Sequence, residues 1–254
     1  MKDDEKTVDW REEYAYTLGV QGYVFAFPWV YLSLLRYLWV TQKPKNDMTP
    51  YAALNHFYHS RRIATAEYRD GGSPNNDTFY SIAWLDVGIE PVILSHPDMG
   101  ERYFTFEIAS MTSDNFAYVG KRTTGSKAGH FAICGPNWEG ELPSDVEKLE
   151  NSPTAAVLIF GRTAVKGADD ALVVNQFQDQ FKLTPLSLWG VLDAKVPERR
   201  DVLPPFDPKT DPLADWKTIN QAMAENPPLR RNAFMSELLK NIGIGPGLDV
   251  DDMD

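Results

Sequence analysis

Between about residue 73 and residue 185 the apolar residues come in short runs with the period of strands, and on both sides they recur at helical spacing. Side chains alternate across a strand but return to the same face of a helix every three or four residues, so one segment cannot serve both patterns. A chain written this way has to build its sheets in the middle and pack helices from both ends. The runs 78–87, 91–95, 102–109, 116–120, 130–135 and 155–162 are rich in β-branched and aromatic residues, and Gly, Pro, Asp and Asn separate them. Residues 103–108, Tyr-Phe-Thr-Phe-Glu-Ile, partly alternate apolar and polar as a half-buried strand does. Short strands at this spacing predict a β-sandwich. A helix is expected to close the zone, with Asp169 as N-cap and Val173, Phe177 and Phe181 at i, i+4 and i+8.

The flanks read as helices. Tyr14, Leu18 and Phe25, then Val30, Leu34 and Leu38, mark a buried helix kinked or split at Pro28. After the polar break 43–50, a short helix is expected over 51–68. Beyond the Pro-rich linker 196–208, Asp211-Pro212 predicts a helix start, with Trp216, Ile219 and Met223 as its inward stripe and Pro227-Pro228 as its end. A last helix carries Phe234, Leu238 and Ile242 and stops at Gly243. The expected fold is therefore mainly β with helical segments (α+β): an Ig-like β-sandwich flanked by N-terminal helices and a C-terminal helical pair. The expected divisions are 1–72, 73–195 and 196–254.

Charge and cysteine content narrow the function classes. A formal net charge of −11 excludes the basic surface a nucleic-acid binder needs to displace counterions from phosphates. The apolar stretch 19–40 is long enough to span a bilayer, but Gln21, Pro28, Ser33 and Arg36 interrupt it, so no membrane partner is expected. With an acidic N-terminus and no secretory signal pattern, the expected location is cytoplasmic. The single cysteine, Cys134, lies in an apolar run and reads as a core residue. There is no Gly-x-Ser-x-Gly elbow, no dinucleotide fingerprint and no His-Glu-x-x-His pattern, so the sequence assigns no cofactor and no metal.

The leading candidate site is the turn and strand Asn76-Asp77-Thr78-Phe79-Tyr80. Asn76 and Asp77 offer donors and acceptors, Tyr80 is a phenol, and Thr78 and Tyr80 share a strand face. The same residues also suit an Asx-turn that only starts the strand. Trp84 on that strand, Arg102, Tyr103 and Arg122 are expected as ligand-binding neighbours, and Trp138 as a stacking face. Asp86 and Glu107 are carboxylates that could converge with Asp77. His56 and His59 fall at i, i+3 of the expected helix, a pair short of ligands for a metal. His130 reads as a core histidine and His96 as a turn residue before Pro97.

These residues also carry a resemblance. The Pro74–Tyr80 turn and strand, Trp84-Leu85-Asp86, Glu90-Pro91, 97–103, Gly120-Lys121-Arg122-Thr123-Thr124-Gly125, Gly135-Pro136-Asn137-Trp138, Gly161-Arg162-Thr163 and Pro185-Leu186-Ser187 are similar, in order and spacing, to the family called domain of unknown function 1254. The resemblance covers about 14–248 and implies a β-sandwich flanked by helices. It names no reaction. It also implies a second, jelly-roll domain, numbered 1214, beginning near Gly243-Ile244-Gly245-Pro246-Gly247, so a homo-oligomer or a partner supplying that domain is an open expectation. The functional expectation is an enzyme acting on a small organic molecule, organic acids among the candidates, with Asp77 as base or anchor and Tyr80 as acid. The alternative is a non-catalytic ligand-binding or assembly module.

Overall fold

The computed structural model describes residues 9–44, 48–64 and 75–252. The chain divides into two compact units, 35–203 and 1–34 with 204–254. The larger unit holds the strands β1 (Tyr58–His59), β2 (Thr78–Asp86), β3 (Val92–His96), β4 (Phe104–Ser110), β5 (Asn115–Gly120), β6 (Gly129–Ile133), β7 (Glu147–Lys148), β8 (Ala156–Ala164) and β9 (Lys182–Pro185). They form two sheets, in the orders β1-β2-β8-β4-β5 and β7-β6-β3-β9. All the pairings are antiparallel except β6 with β7.

One core joins the two sheets. Leu85, Phe104, Phe106, Ile108 and Ile159 of one sheet pack with Leu94, Phe131, Ile133 and Leu183 of the other. Each such side chain contributes about 1.5–3 kcal/mol on burial, so this cluster is what holds the sandwich together. The alternation of β4 is regular: Phe104, Phe106 and Ile108 are buried while Thr105, Glu107 and Ala109 are partly open. Gly161 on the central strand β8 leaves room for its two neighbouring strands, because a Cβ there would sit 2.7 Å from the Ser81 carbonyl oxygen of β2 and 2.7 Å from the Phe106 ring of β4.

The expected α+β sandwich is what the chain forms, and the six expected strands appear with ends shifted by one or two residues. Three short strands were not foreseen: β1, β7 and β9. β9 is Lys-Leu-Thr-Pro, too short and too polar to show a period, and pairing with β3 makes it a strand. The helix expected over 51–68 is not formed among its described residues: Leu54 bridges to Arg199, and Tyr58 and His59 pair with Ile82 and Ser81. Residues 65–68 and Pro74 lie outside the described residues. The helix after β8 begins later than expected. A 3-10 turn at Ala168–Asp170 precedes α2 (Ala171–Gln178), and Phe181 lies beyond its end, in the sandwich core. The Asp170 side chain does not cap α2; its carboxylate is held by Arg102.

The smaller unit is helical. The helix α1 (Trp10–Thr41) begins in it and passes through Pro28 without splitting, since proline removes one backbone donor and the turns on either side carry the helix. It is one helix long and apolar enough, by length and composition, to cross a membrane. It is not the buried helix expected, for Val24 is 74% and Phe27 45% exposed. Its other side is inward: Ala26 and Trp29 pack with Ile219, Ala222 and Met223 of α3 (Ala214–Glu225) and with Leu239 of α4 (Ala233–Leu239). The Trp29 indole donates to the Asn226 carbonyl at 2.8 Å. Gly243, in the left-handed region at φ 71°, ends the 3-10 turn that follows α4. The inward residue of α4 is Leu239, and Phe234 points out, 77% exposed. The α4 stripe is offset from the expected one because the helix lasts only seven residues and the turn after it is tighter than 3.6 per turn.

Candidate functional site

Several of the expected site residues meet at one end of the five-stranded sheet. Thr78 pairs with Ala164, and the Ala164 amide donates to the Tyr103 carbonyl at 2.9 Å. Arg102 lies beside them and Arg122 stacks over the Tyr103 ring, 5.2 Å from its centroid. The polar atoms here are mostly committed to the fold. Asn75 Oδ1 accepts from the Thr78 amide at 3.1 Å, the Thr78 hydroxyl at 2.9 Å and, more weakly, the Asp77 amide at 3.4 Å. That is an Asx-turn starting β2, centred one residue earlier than Asn76. Asn76 and Asp77 are exposed at its tip. The Tyr80 hydroxyl accepts from the Asn75 amide at 3.3 Å, and its ring meets Phe160 edge-on at 5.4 Å.

Arg102 is a structural fork. Its two terminal nitrogens donate to the two Asp170 oxygens at 2.6 and 2.8 Å, and one also reaches the Ala164 carbonyl at 2.7 Å. This guanidinium holds the Asp170 carboxyl below the usual carboxylate range. Trp84 and Trp138 are elsewhere. Trp84 is 2% exposed and its indole nitrogen is buried without a partner, so it presents no face to a ligand. Trp138 packs beside the other sheet, with Lys148 over its ring at 5.3 Å. Asp86 pairs with Arg199 at 2.9 Å.

The histidines are arranged by strand parity, which reverses two of the expectations. His96 is not a turn residue: it ends β3 facing inward, 3% exposed, stacked on Phe131 and tilted against Phe104. Its Nδ1 donates to the Pro97 carbonyl at 2.8 Å, Nε2 is buried without a partner, and burial lowers its pKa. His59 is also inward. Its Nδ1 is 2.9 Å from the Ser81 hydroxyl, which receives the Gln178 amide at 3.2 Å, and burial lowers its pKa to about 4. His56 bonds the Leu54 carbonyl at 2.9 Å. Among the described residues no group of three metal-type ligands forms.

His130 is the exception, for it faces outward rather than into the core. It sits opposite Ser95, and Ser95 sits opposite Lys182, so the three form one row across β6, β3 and β9 on the outer face of the four-stranded sheet. The His130 Nδ1 is 2.8 Å from the Ser95 hydroxyl. The Trp189 ring meets the imidazole edge-on at 4.9 Å. Residues 188–194 make a wall, and Asp145 and Thr184 contribute to a groove of about 1020 Å³ over this row. Sequence reading missed it because Ser95 and His130 are 35 residues apart and only antiparallel register brings them together.

Residues 54–185 match the model of a family described as protein of unknown function (DUF1254). The chain belongs to this family. No curated protein matches it. The fold is similar to that of the VPA0106 protein from Vibrio parahaemolyticus, a structural genomics target, with a TM-score of 0.70 and 24% identity. The alignment covers 92% of this chain and 53% of that one, so the chain spans about half the length of that protein.

The DUF1254 motifs separated in sequence are joined in space. Glu90, before Pro91, accepts from the Ser187 amide at 2.6 Å and the Ser187 hydroxyl at 2.8 Å. The Leu186 amide donates to the Pro91 carbonyl at 2.9 Å. These bonds fix the 3-10 turn Leu186–Leu188 that leads directly into Trp189, and so they position one wall of the His130 groove.

Proposed function

We propose that this DUF1254 protein is an enzyme acting on a small polar organic molecule bound in the groove over Ser95, His130 and Lys182. The observation carrying this reading is the Ser95–His130 hydrogen bond of 2.8 Å on the floor of an open groove. A neutral imidazole has one donor and one acceptor nitrogen. With Nδ1 engaged by Ser95, the other nitrogen is left for a ligand, and Ser95 selects its role. If Nδ1–H donates to the hydroxyl, Nε2 is a base; if the hydroxyl donates to Nδ1, Nε2–H is a donor. Trp189 supplies a flat apolar wall and Lys182 a cation at the far end of the row. The other charged groups of the lining are Asp145, Asp179 and Asp193, with Asp179 paired to Arg61 at 2.6 Å. That excess of carboxylates favours a neutral or amine-bearing molecule over an organic acid. Asp77 and Tyr80 take no part in this reading, because the Asx-turn accounts for their geometry.

The test is untargeted mass spectrometry of a metabolite extract incubated with wild type, His130→Gln or Ser95→Ala, each shown to be folded. Wild type is expected to consume a compound that His130→Gln consumes at least about 100-fold more slowly. Consumption unchanged in His130→Gln would refute the assignment. If the compound is bound but not consumed by wild type, and His130→Gln abolishes binding, the groove is a ligand site without catalysis.

A further inference from the structure

The helical unit has a cavity of its own, about 620 Å³, independent of the His130 groove. Its walls are apolar: Trp216 of α3 and Ile242, Ile244 and Val250 of the C-terminal segment face Tyr14 and Gly19 of α1. Among the described residues its only charged lining residue is Arg11, whose guanidinium lies 4.9 Å from the Trp10 ring centroid. No carboxylate of the described residues lines it, in a chain with a net charge of −11. A site with mostly apolar walls and a few polar groups, here Arg11, Asn241 and the Tyr14 hydroxyl, is the usual form of a small-molecule pocket, and 620 Å³ lies within the usual range of about 300–1,000 Å³.

Two glycines on α1 show which part of the helix is open. At Gly22 a Cβ would meet the Leu239 side chain at 2.6 Å, so the helix is closely covered there. At Gly19, one turn earlier, a Cβ would meet nothing within 4 Å. The space beside Gly19 is therefore left by the packing. A residue without a side chain at this point of the wall widens the cavity, at a cost of about 1 kcal/mol in helix propensity relative to alanine.

We propose that this cavity binds an anionic amphiphile, a carboxylic acid with a medium-length aliphatic chain, with the chain along Tyr14, Trp216 and Ile244 and the carboxylate at Arg11. Arg11 attracts an anion, and among the described residues no carboxylate lines the cavity, the neighbouring Asp9 being turned to the Arg11 backbone amide at 2.9 Å. The apolar walls take the chain because burying it releases about 0.8 kcal/mol per methylene.

The probes are dodecanoate and dodecanol, titrated calorimetrically below their aggregation concentrations into the full chain. Wild type is expected to bind dodecanoate with 1:1 stoichiometry. Arg11→Gln is expected to weaken dodecanoate roughly five-fold, the range of an exposed charge pair, and to leave dodecanol unchanged. Gly19→Leu fills the open space and is expected to abolish binding of both. It should keep the helix, since leucine is a better helix former than glycine, and circular dichroism and melting temperature check that. Undiminished dodecanoate binding by folded Gly19→Leu would overturn the site. Equal dodecanoate affinity in wild type and Arg11→Gln would overturn the anionic assignment, and the absence of dodecanoate binding by wild type would overturn the proposal as a whole.

Discussion

At the scale of single residues, the fold commits its charged and titratable groups early. The Arg102–Asp170 fork is bidentate, with only 14% and 17% of the two side chains exposed. Lysine offers a point charge where arginine offers two parallel donors, so Arg102→Lys is expected to destabilise by about 1–3 kcal/mol, measured by urea unfolding. His59 sets a pH dependence. Its folded pKa of about 4 lies below the ordinary histidine value, so between these two values the unfolded chain binds a proton that the folded chain refuses. Stability that is full above about pH 6.5 should fall as pH drops towards 4, by as much as about 2–3 kcal/mol from this group. Unfolding curves at pH 7.0 and 4.5 check it: His59→Phe should show a smaller fall than wild type, and an equal fall would rule out this cause. The sequence places Arg102, Tyr103 and Arg122 among the expected ligand-binding neighbours of 76–80. It could not distinguish an arginine that binds a ligand from one already bound to Asp170, because the partner is 68 residues away.

At the scale of elements, the strands of the sandwich were legible and the contacts between them were not. Runs such as 78–87 and 155–162 announce themselves by composition, whereas β9 becomes a strand only through its partner β3. Parity is the clearest case. His96 and His130 look alike in sequence, each near a strand end, yet pairing places His130 opposite Ser95 and His96 opposite Gly129. Register thus sends one imidazole outward and the other inward, and a shift of one residue would exchange them. Gly161 makes a prediction at this level. A methyl group there meets the Ser81 carbonyl and the Phe106 ring at 2.7 Å, and both belong to neighbouring strands. Gly161→Ala is expected to cost about 1–3 kcal/mol by overpacking, read as a lower urea midpoint with an unchanged m-value. A midpoint equal to wild type would show that β8 is not so tightly enclosed.

At the scale of the whole molecule, composition alone pointed away from nucleic acid, and each of the two units has a cavity of the size small ligands occupy. Neither cavity was legible in the sequence, since each is lined by residues from segments far apart in the chain. The expected site at 76–80 was legible as a motif, and Asn75 folds its start as an Asx-turn. Family membership fixes the fold and names no reaction, and the proposed site rests on the His130–Ser95 pair in its groove. Four histidines make this directly measurable, because their imidazole signals can be resolved and assigned by nuclear magnetic resonance. The decisive measurement is the set of imidazole and Trp189 indole shifts during titration with metabolite fractions. Binding in the groove should move His130 and Trp189 while the inward-facing His59, which is not part of the groove lining, stays fixed. A fraction that supplies a consumed metabolite yet leaves His130 and Trp189 unmoved would contradict the proposed site.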